Sequence, residues 1–178
     1  KEKKGLLTFV NIGCINCHNG AILGGDKFMK FGVFGHVDRG AGTLQEFYEN
    51  RLRIAEKYDK IGFYAYHTAE HHATSLGMAP SPNVYMSAVA QRTKQLKFGP
   101  PVYCLPQYHP IRLFEEICML DQMSGGRLQV GVGKGISAIE SGYYGLDAAD
   151  VTVMYQEYYQ IIIKAMTSEQ LTFDGNYF

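Results

Sequence analysis

The sequence predicts an α/β fold of about four βα units. Three observations carry this. From Met29 onward short apolar runs alternate with amphipathic stretches, the pattern of parallel strands with helices laid across them. The junctions carry helix caps and turn residues, and the polar clusters fall just after the expected strands. A closed eight-stranded barrel takes about 250 residues, so four units make half of one. An independent four-unit α/β sheet is the alternative.

The first strand is Phe31-Gly32-Val33-Phe34, and a helix opens at Thr43 with Glu46 three residues on, a capping box. Leu44, Phe47, Tyr48, Leu52 and Ala55 form its apolar stripe, and Gly62 stops it. The second strand is Phe63 to Tyr66. Its helix runs from Ser81 to Thr93 through Val84, Ala88 and Val89, with Pro82 in the first turn, where a missing N–H needs no partner. The third strand spans Lys97 to Leu105, and Pro110 opens a helix ending at Ser124-Gly125-Gly126. Arg127 to Val132 is the fourth strand. A loop rich in Ser, Gly and Tyr then leads to a helix from Ala148 to Met166, and the chain ends at Phe178 where a further strand is expected.

The composition is that of a globular protein, with 46% apolar residues. Lys plus Arg and Asp plus Glu both number 17, so no net charge favours nucleic acid or an anionic membrane as partner. No apolar run approaches the roughly 20 residues of a membrane helix. Lys1-Glu2-Lys3-Lys4 is not followed by the long apolar stretch of a signal peptide. Of the four cysteines, Cys104 and Cys118 stand alone and read as buried packing thiols, Cys118 at helical spacing from Phe114.

In parallel α/β folds ligands gather at the carboxyl ends of the strands. After the second strand comes His67-Thr68-Ala69-Glu70-His71-His72, after the third Gln107-Tyr108-His109, and after the fourth Gly133-Lys134-Gly135. A carboxylate beside two imidazoles can orient one ring for proton transfer near neutral pH. A metal site and hydrogen-bonded loop packing are the alternatives for this cluster. The glycine-flanked Lys134 can approach a phosphate or form a tight turn with a solvated amine.

Cys14-Ile15-Asn16-Cys17-His18 has the spacing of covalent haem c attachment, Cys14 and Cys17 forming the thioether bonds and His18 ligating iron. A fortuitous thiol pair or half a zinc site is the alternative. With Gly5-Leu6-Leu7-Thr8-Phe9, Asn19-Gly20 and Leu23-Gly24-Gly25 it resembles the electron-transfer haem domain of bacterial di-haem cytochrome c peroxidases. The resemblance ends near Phe34, and no segment matches that family's second axial ligand or its peroxidatic haem.

A second resemblance runs from Met29 to Phe178. Met29-Lys30-Phe31-Gly32-Val33-Phe34, Ala69-Glu70-His71-His72, Leu105-Pro106, His109-Pro110-Ile111-Arg112, Leu120-Asp121-Gln122-Met123-Ser124-Gly125-Gly126-Arg127 and Gly131-Val132-Gly133-Lys134-Gly135 together resemble the N-terminal half of the bacterial luciferase-like, flavin-dependent monooxygenases. The resemblance implies a (β/α)8 TIM-barrel fragment that uses reduced FMN, or a related flavin, with O₂ to oxygenate a small organic substrate. It also implies a partner flavin reductase and, for the full-length protein, a dimer. Carried over by position, His71 is the catalytic acid/base with Glu70 beside it. His72, Pro101, Val102 and Lys134 contact the cofactor, Pro101-Val102 at a peptide that is sometimes cis in the family. Lys134 stands where luciferase has an arginine for the flavin phosphate. Lysine keeps that charge without the bidentate fork.

These readings divide the chain into a cytochrome c-like segment, residues 1–28, and half of a luciferase-like domain, residues 29–178. Haem attachment requires export, which implies the periplasm, whereas luciferase-like enzymes draw reduced flavin from the cytoplasm. A chimeric reading frame with an authentic start at Met29 is therefore expected, a natural fusion being the alternative. The cytoplasm is the expected compartment, and the half-barrel alone is not expected to turn over. A c-type electron carrier and a non-catalytic α/β binding module remain as alternative functions.

Overall fold

The structure, a computed structural model, describes residues 30–178. Strand β1 (Gly32–Gly35) pairs in parallel with β2 (Ala65–Thr68), and β2 with β3 (Lys97–Gly99). A second parallel pair joins β4 (Tyr103–Cys104) to β5 (Val132–Gly133). The bridge between Phe98 and Leu128 continues the hydrogen-bonding from one sheet to the next.

Helix α1 (Leu44–Lys60) starts as its sequence dictates: Thr43 Oγ1 accepts from Glu46 N at 3.2 Å, and Glu46 Oε2 accepts from Thr43 N at 2.9 Å. Phe47 and Ala55 are buried, whereas Leu44, in the first turn, is exposed. Helix α2 (Pro82–Arg92) has Pro in its first turn, as expected. Its buried face is Tyr85, Met86, Val89 and Ala90, while Val84 points out at 72% exposure. Positions 85, 86, 89 and 90 make a complete i, i+1, i+4, i+5 stripe; of the apolar residues Val84, Ala88 and Val89 singled out in the sequence, Val89 belongs to it. Helix α3 (Pro110–Ser124) ends where predicted, Gly125 adopting φ 69° so that its N–H and that of Gly126 return to Gln122 and Asp121 carbonyls.

The expected third strand is interrupted. Pro100 and Pro101 bring no N–H to the ladder, and at this break the Pro100 carbonyl accepts from Gly131 N at 3.1 Å. The chain re-enters a strand at Tyr103, whose N–H reaches Gly131 O at 2.7 Å. The fourth strand is likewise reduced to the Leu128 bridge and β5. Within the expected Ser/Gly/Tyr loop lies a further helix, α4 (Ala138–Tyr143), N-capped by Ser137 Oγ accepting from Glu140 N at 3.2 Å. Helix α5 (Val151–Thr167) follows.

Strand alternation sorts side chains to two faces. Val33, Tyr66 and Phe98 sit side by side in register and pack against Phe47, Ala55, Met86 and Val89 of α1 and α2. Phe34, His67 and Gly99, also in register, occupy the opposite face. A second core holds Tyr103, Leu105, Leu113, Ile117, Tyr158 and Ile162 beneath α3 and α5. Each large apolar side chain so buried contributes about 1.5–3 kcal/mol. Cys118 is exposed, contrary to expectation, because the buried stripe of α3 is Leu113, Ile117, Leu120 and Ser124. No helix among the described residues is long and apolar enough to cross a membrane.

Candidate active site

The carboxyl ends of β1, β2 and β4 and the segment after β5 bring their polar residues together. Glu70, two residues beyond β2, is buried with no exposed side-chain surface. Its Oε2 accepts from Cys104 N at 2.8 Å, and its Oε1 accepts from Tyr108 O–H at 2.5 Å and from His72 Nε2 at 2.9 Å. Burial and the Glu70 charge push the Tyr108 hydroxyl far above its ordinary pKa, so it stays a donor. One carboxylate thus ties the ends of β2 and β4 to the loop that follows each.

The two adjacent imidazoles are wired differently. His72 is engaged at both nitrogens: Nε2 with Glu70, and Nδ1 with the Tyr144 hydroxyl at 2.7 Å. Burial and the Glu70 field raise the Tyr144 pKa, so Tyr144 donates and Nδ1 accepts. His71 Nδ1 lies 3.1 Å from Glu140 Oε1 of α4. His36, from the segment after β1, stacks on the His71 ring at 5.4 Å between centroids and 19° between planes. Phe34 meets His36 edge-on at 5.2 Å.

Backbone strain brackets this cluster. Val37, buried and β-branched, has φ 56°, and Ala73, directly after His72, has φ 52°. Such conformations cost on the order of 1–3 kcal/mol each and persist where the surroundings over-determine them. Here Val37 O accepts from Met78 N at 3.0 Å and Arg39 N donates to Ser75 O at 3.1 Å, which clamps the loop carrying His36 onto the loop after His72. Gly77 lies in the same clamp, where a Cβ would come within 2.8 Å of His71 Cβ.

The other expected residues are dispersed. His67 is buried and pairs with Gln129 Oε1 at 2.9 Å, burial lowering its pKa against the opposing effect of that hydrogen bond. In register with Phe34 and Gly99, it lies on the sheet face opposite Tyr66. Pro101 and Val102 are half-buried beside Gly131 and Gly133, and no cis peptide occurs among the described residues. Lys134 is exposed, its Nζ 3.4 Å from Thr152 Oγ1 at the start of α5. No group of three or more His, Cys, Asp or Glu among the described residues could hold a metal ion. Cys14, Cys17 and His18 lie outside the described residues.

Sequence reasoning missed Glu140, Tyr144 and His36, and it placed Tyr108 among the strand-end residues without its bond to Glu70. The only local signal for the first two was the Ser137-x-x-Glu140 cap at the start of α4. Thr68 Oγ1, Gln107 Oε1 and His36 Nδ1 are buried without a hydrogen-bond partner among the described residues, an uncommon state for native polar atoms. Their positions at three strand ends mark the face where a polar ligand would satisfy them.

Parallel strands carrying such a polar cluster at their carboxyl ends make this an α/β fold of the class that gathers ligands at that face. The chain belongs to the luciferase-like monooxygenase family, whose family model matches residues 29–178. It is 47% identical over 150 residues to an uncharacterised protein, y4wF, of Sinorhizobium fredii, covering 84% of this chain and 44% of that protein. It is 32% identical over 127 residues to limonene 1,2-monooxygenase of Rhodococcus erythropolis, covering 71% of this chain and 33% of that enzyme. Among solved structures it resembles the oxygenating constituent of 3,6-diketocamphane monooxygenase from Pseudomonas putida, a type II Baeyer-Villiger monooxygenase in complex with FMN. That likeness has a TM-score of 0.77 at 27% identity, over 84% of this chain and 42% of that one. The chain therefore spans less than half the length of these relatives.

Proposed function

We propose that residues 29–178 form the flavin-binding, proton-handling part of an oxygenase that uses reduced FMN and O₂ to oxygenate a small organic substrate, with a separate reductase supplying the flavin. The observation that carries this reading is the convergence of Glu70, His71 and His72 with the unpartnered Thr68 Oγ1 and Gln107 Oε1 at the carboxyl ends of the strands. A flavin suits that donor set, because its flat ring has a polar edge needing hydrogen bonds and apolar faces needing a wall. Thr68 and Gln107 would meet the edge, Pro101 and Val102 the face, and Lys134 the phosphate. The bound reduced flavin supplies the electrons that activate O₂.

His71 holds or moves a proton at Nε2, the nitrogen not committed to Glu140. Glu70 and His72 position it by fixing the chain on either side, since their polar atoms are spent on each other, Cys104, Tyr108 and Tyr144. The FMN-bound relative, named as an oxygenating constituent, supports both the cofactor and the reductase partner.

Anaerobic titration of the chain with reduced FMN and reduced riboflavin tests this. Saturable binding is expected, with FMN preferred through Lys134 and the preference reduced in Lys134→Ala. In a chain of the relatives' length, His71→Ala should lower oxygenation by roughly 10²- to 10⁴-fold, the span of a general acid or base, while changing flavin affinity far less. Absence of saturable flavin binding would overturn the proposal.

A further inference from the structure

We infer that Glu140 is a positioning residue that holds His71 as its Nδ1–H tautomer and so leaves Nε2 as the proton-accepting atom. The inference rests on the proposed role of His71. A neutral imidazole carries its proton on one nitrogen, and the hydrogen bond made by that nitrogen decides which. Glu140 Oε1 is the partner of His71 Nδ1 at 3.1 Å, in a pair whose side chains are only 16% and 14% exposed. A carboxylate accepts and cannot donate, so Nδ1 must carry the hydrogen. Nε2 has no partner among the described residues and does not rank among the unpartnered polar atoms shut off from solvent.

The neighbouring ring supplies the contrast. In His72 the carboxylate of Glu70 takes Nε2–H and the Tyr144 hydroxyl fills Nδ1. Two consecutive histidines are thereby held in opposite tautomers, and only one has a nitrogen lone pair to offer. Both arrangements depend on α4, which places Glu140 against His71 and Tyr144 against His72. Ser137 caps that helix at Glu140 itself. His36, stacked on the other side, fixes the plane in which Nε2 is presented.

In the transfer step a hydrogen on the bound reactant leaves as a proton. The new N–H bond forms at His71 Nε2, the donor's bond to hydrogen breaks, and its electron pair stays on the donor. The imidazolium so formed keeps its Nδ1–H on Glu140, whose charge offsets it without accepting the proton. Return of the proton from Nε2 closes the cycle.

The test needs no flavin. Imidazole ¹⁵N–¹H correlation spectra of the ¹⁵N-labelled 178-residue chain, recorded at about pH 8 where an ordinary histidine is neutral, report each tautomer directly. His71 should show a protonated Nδ1 and bare Nε2, and His72 the reverse. Glu140→Ala should shift His71 toward the Nε2–H form that free imidazole prefers, by about tenfold or more in tautomer ratio. Glu140→Gln should retain the native form, since its amide oxygen still accepts. His72 serves as an internal control that α4 is still in place. If it changes together with His71 in Glu140→Ala, the unmodified and Gln spectra decide. An Nε2–H His71 in the unmodified chain, or an unchanged His71 in Glu140→Ala with His72 intact, overturns the inference. Failure to bind flavin would instead sink the functional proposal and leave the tautomers standing.

Discussion

Gly99 passes so close to Gln129 that a Cβ at position 99 would stand 1.8 Å from the Gln129 carbonyl oxygen. No heavy atom fits there, and the acceptor is backbone, which cannot swing aside. This contact lets Gln129 N donate to Phe98 O at 2.8 Å and bridges the two sheets beneath the candidate site. Gly99→Ala should therefore destabilise the fold by about 3 kcal/mol, lowering the thermal midpoint by roughly 6–12 °C. Calorimetry decides: a midpoint within a degree or two of the parent would mean the strands do not approach this closely.

Glu70 is expected to matter more for structure than its place next to His71 suggests. Its two oxygens accept from three donors, and Glu70→Ala would leave all three without an acceptor in a buried setting. A loss of about 3 kcal/mol is expected for Ala and about 1–2 kcal/mol for Gln, which returns one acceptor. Urea denaturation of both variants measures this, and unchanged midpoints would contradict the hub role.

Asp59 predicts an acid limit. Burial acts to raise its carboxyl, but N–H donors from Gln95, Lys94 and Leu96 and the charge of Arg127 outweigh this and hold it below the ordinary carboxylate value. A depressed folded pKa means stability that is fully present above the unfolded value of about 3.9 and is lost as pH falls through the folded value. Urea midpoints should fall between about pH 5 and pH 2 in the parent, and the fall should be shallower in Asp59→Asn. Identical pH dependences in the two proteins would rule the assignment out.

The lone cysteines should differ sharply in reactivity. Cys118 is exposed, whereas Cys104 is 5% exposed and its thiol is pushed up to about 12 by burial and by the charges of Glu70 and Glu140. Since the thiolate is the reactive form, iodoacetamide near neutral pH should label Cys118 at least about tenfold faster than Cys104. Peptide mapping by mass spectrometry reads the ratio, and equal labelling would show that the end of β4 opens readily.

Much of the architecture was legible locally. The capping box at Thr43, Pro110 opening α3 and Gly125 closing it are short-range devices, each satisfied by atoms within a few residues, so the sequence alone places them. Strand limits were less legible. β1 and β2 begin one and two residues later than expected, because pairing register depends on a partner strand that local apolar content does not specify. The third strand breaks at Pro100-Pro101 for a reason visible in the residues, yet the close approach of Gly99 to Gln129 that joins the two sheets is a long-range fact.

The candidate site divides in the same way. The Glu70-His71-His72 run, and its position after a strand, could be read directly from the chain. What each ring does could not, since that depends on Glu140 and Tyr144, 69 and 72 residues further on, and on His36 from the first strand's loop. The sequence by itself determined which residues could carry protons and at which end of the sheet they stand. Only the tertiary structure decided that Glu70 is consumed as a buried anchor and that His72 is satisfied at both nitrogens. It also left His71 Nε2 without a partner among the described residues, because hydrogen-bond saturation is a property of neighbours brought together by folding.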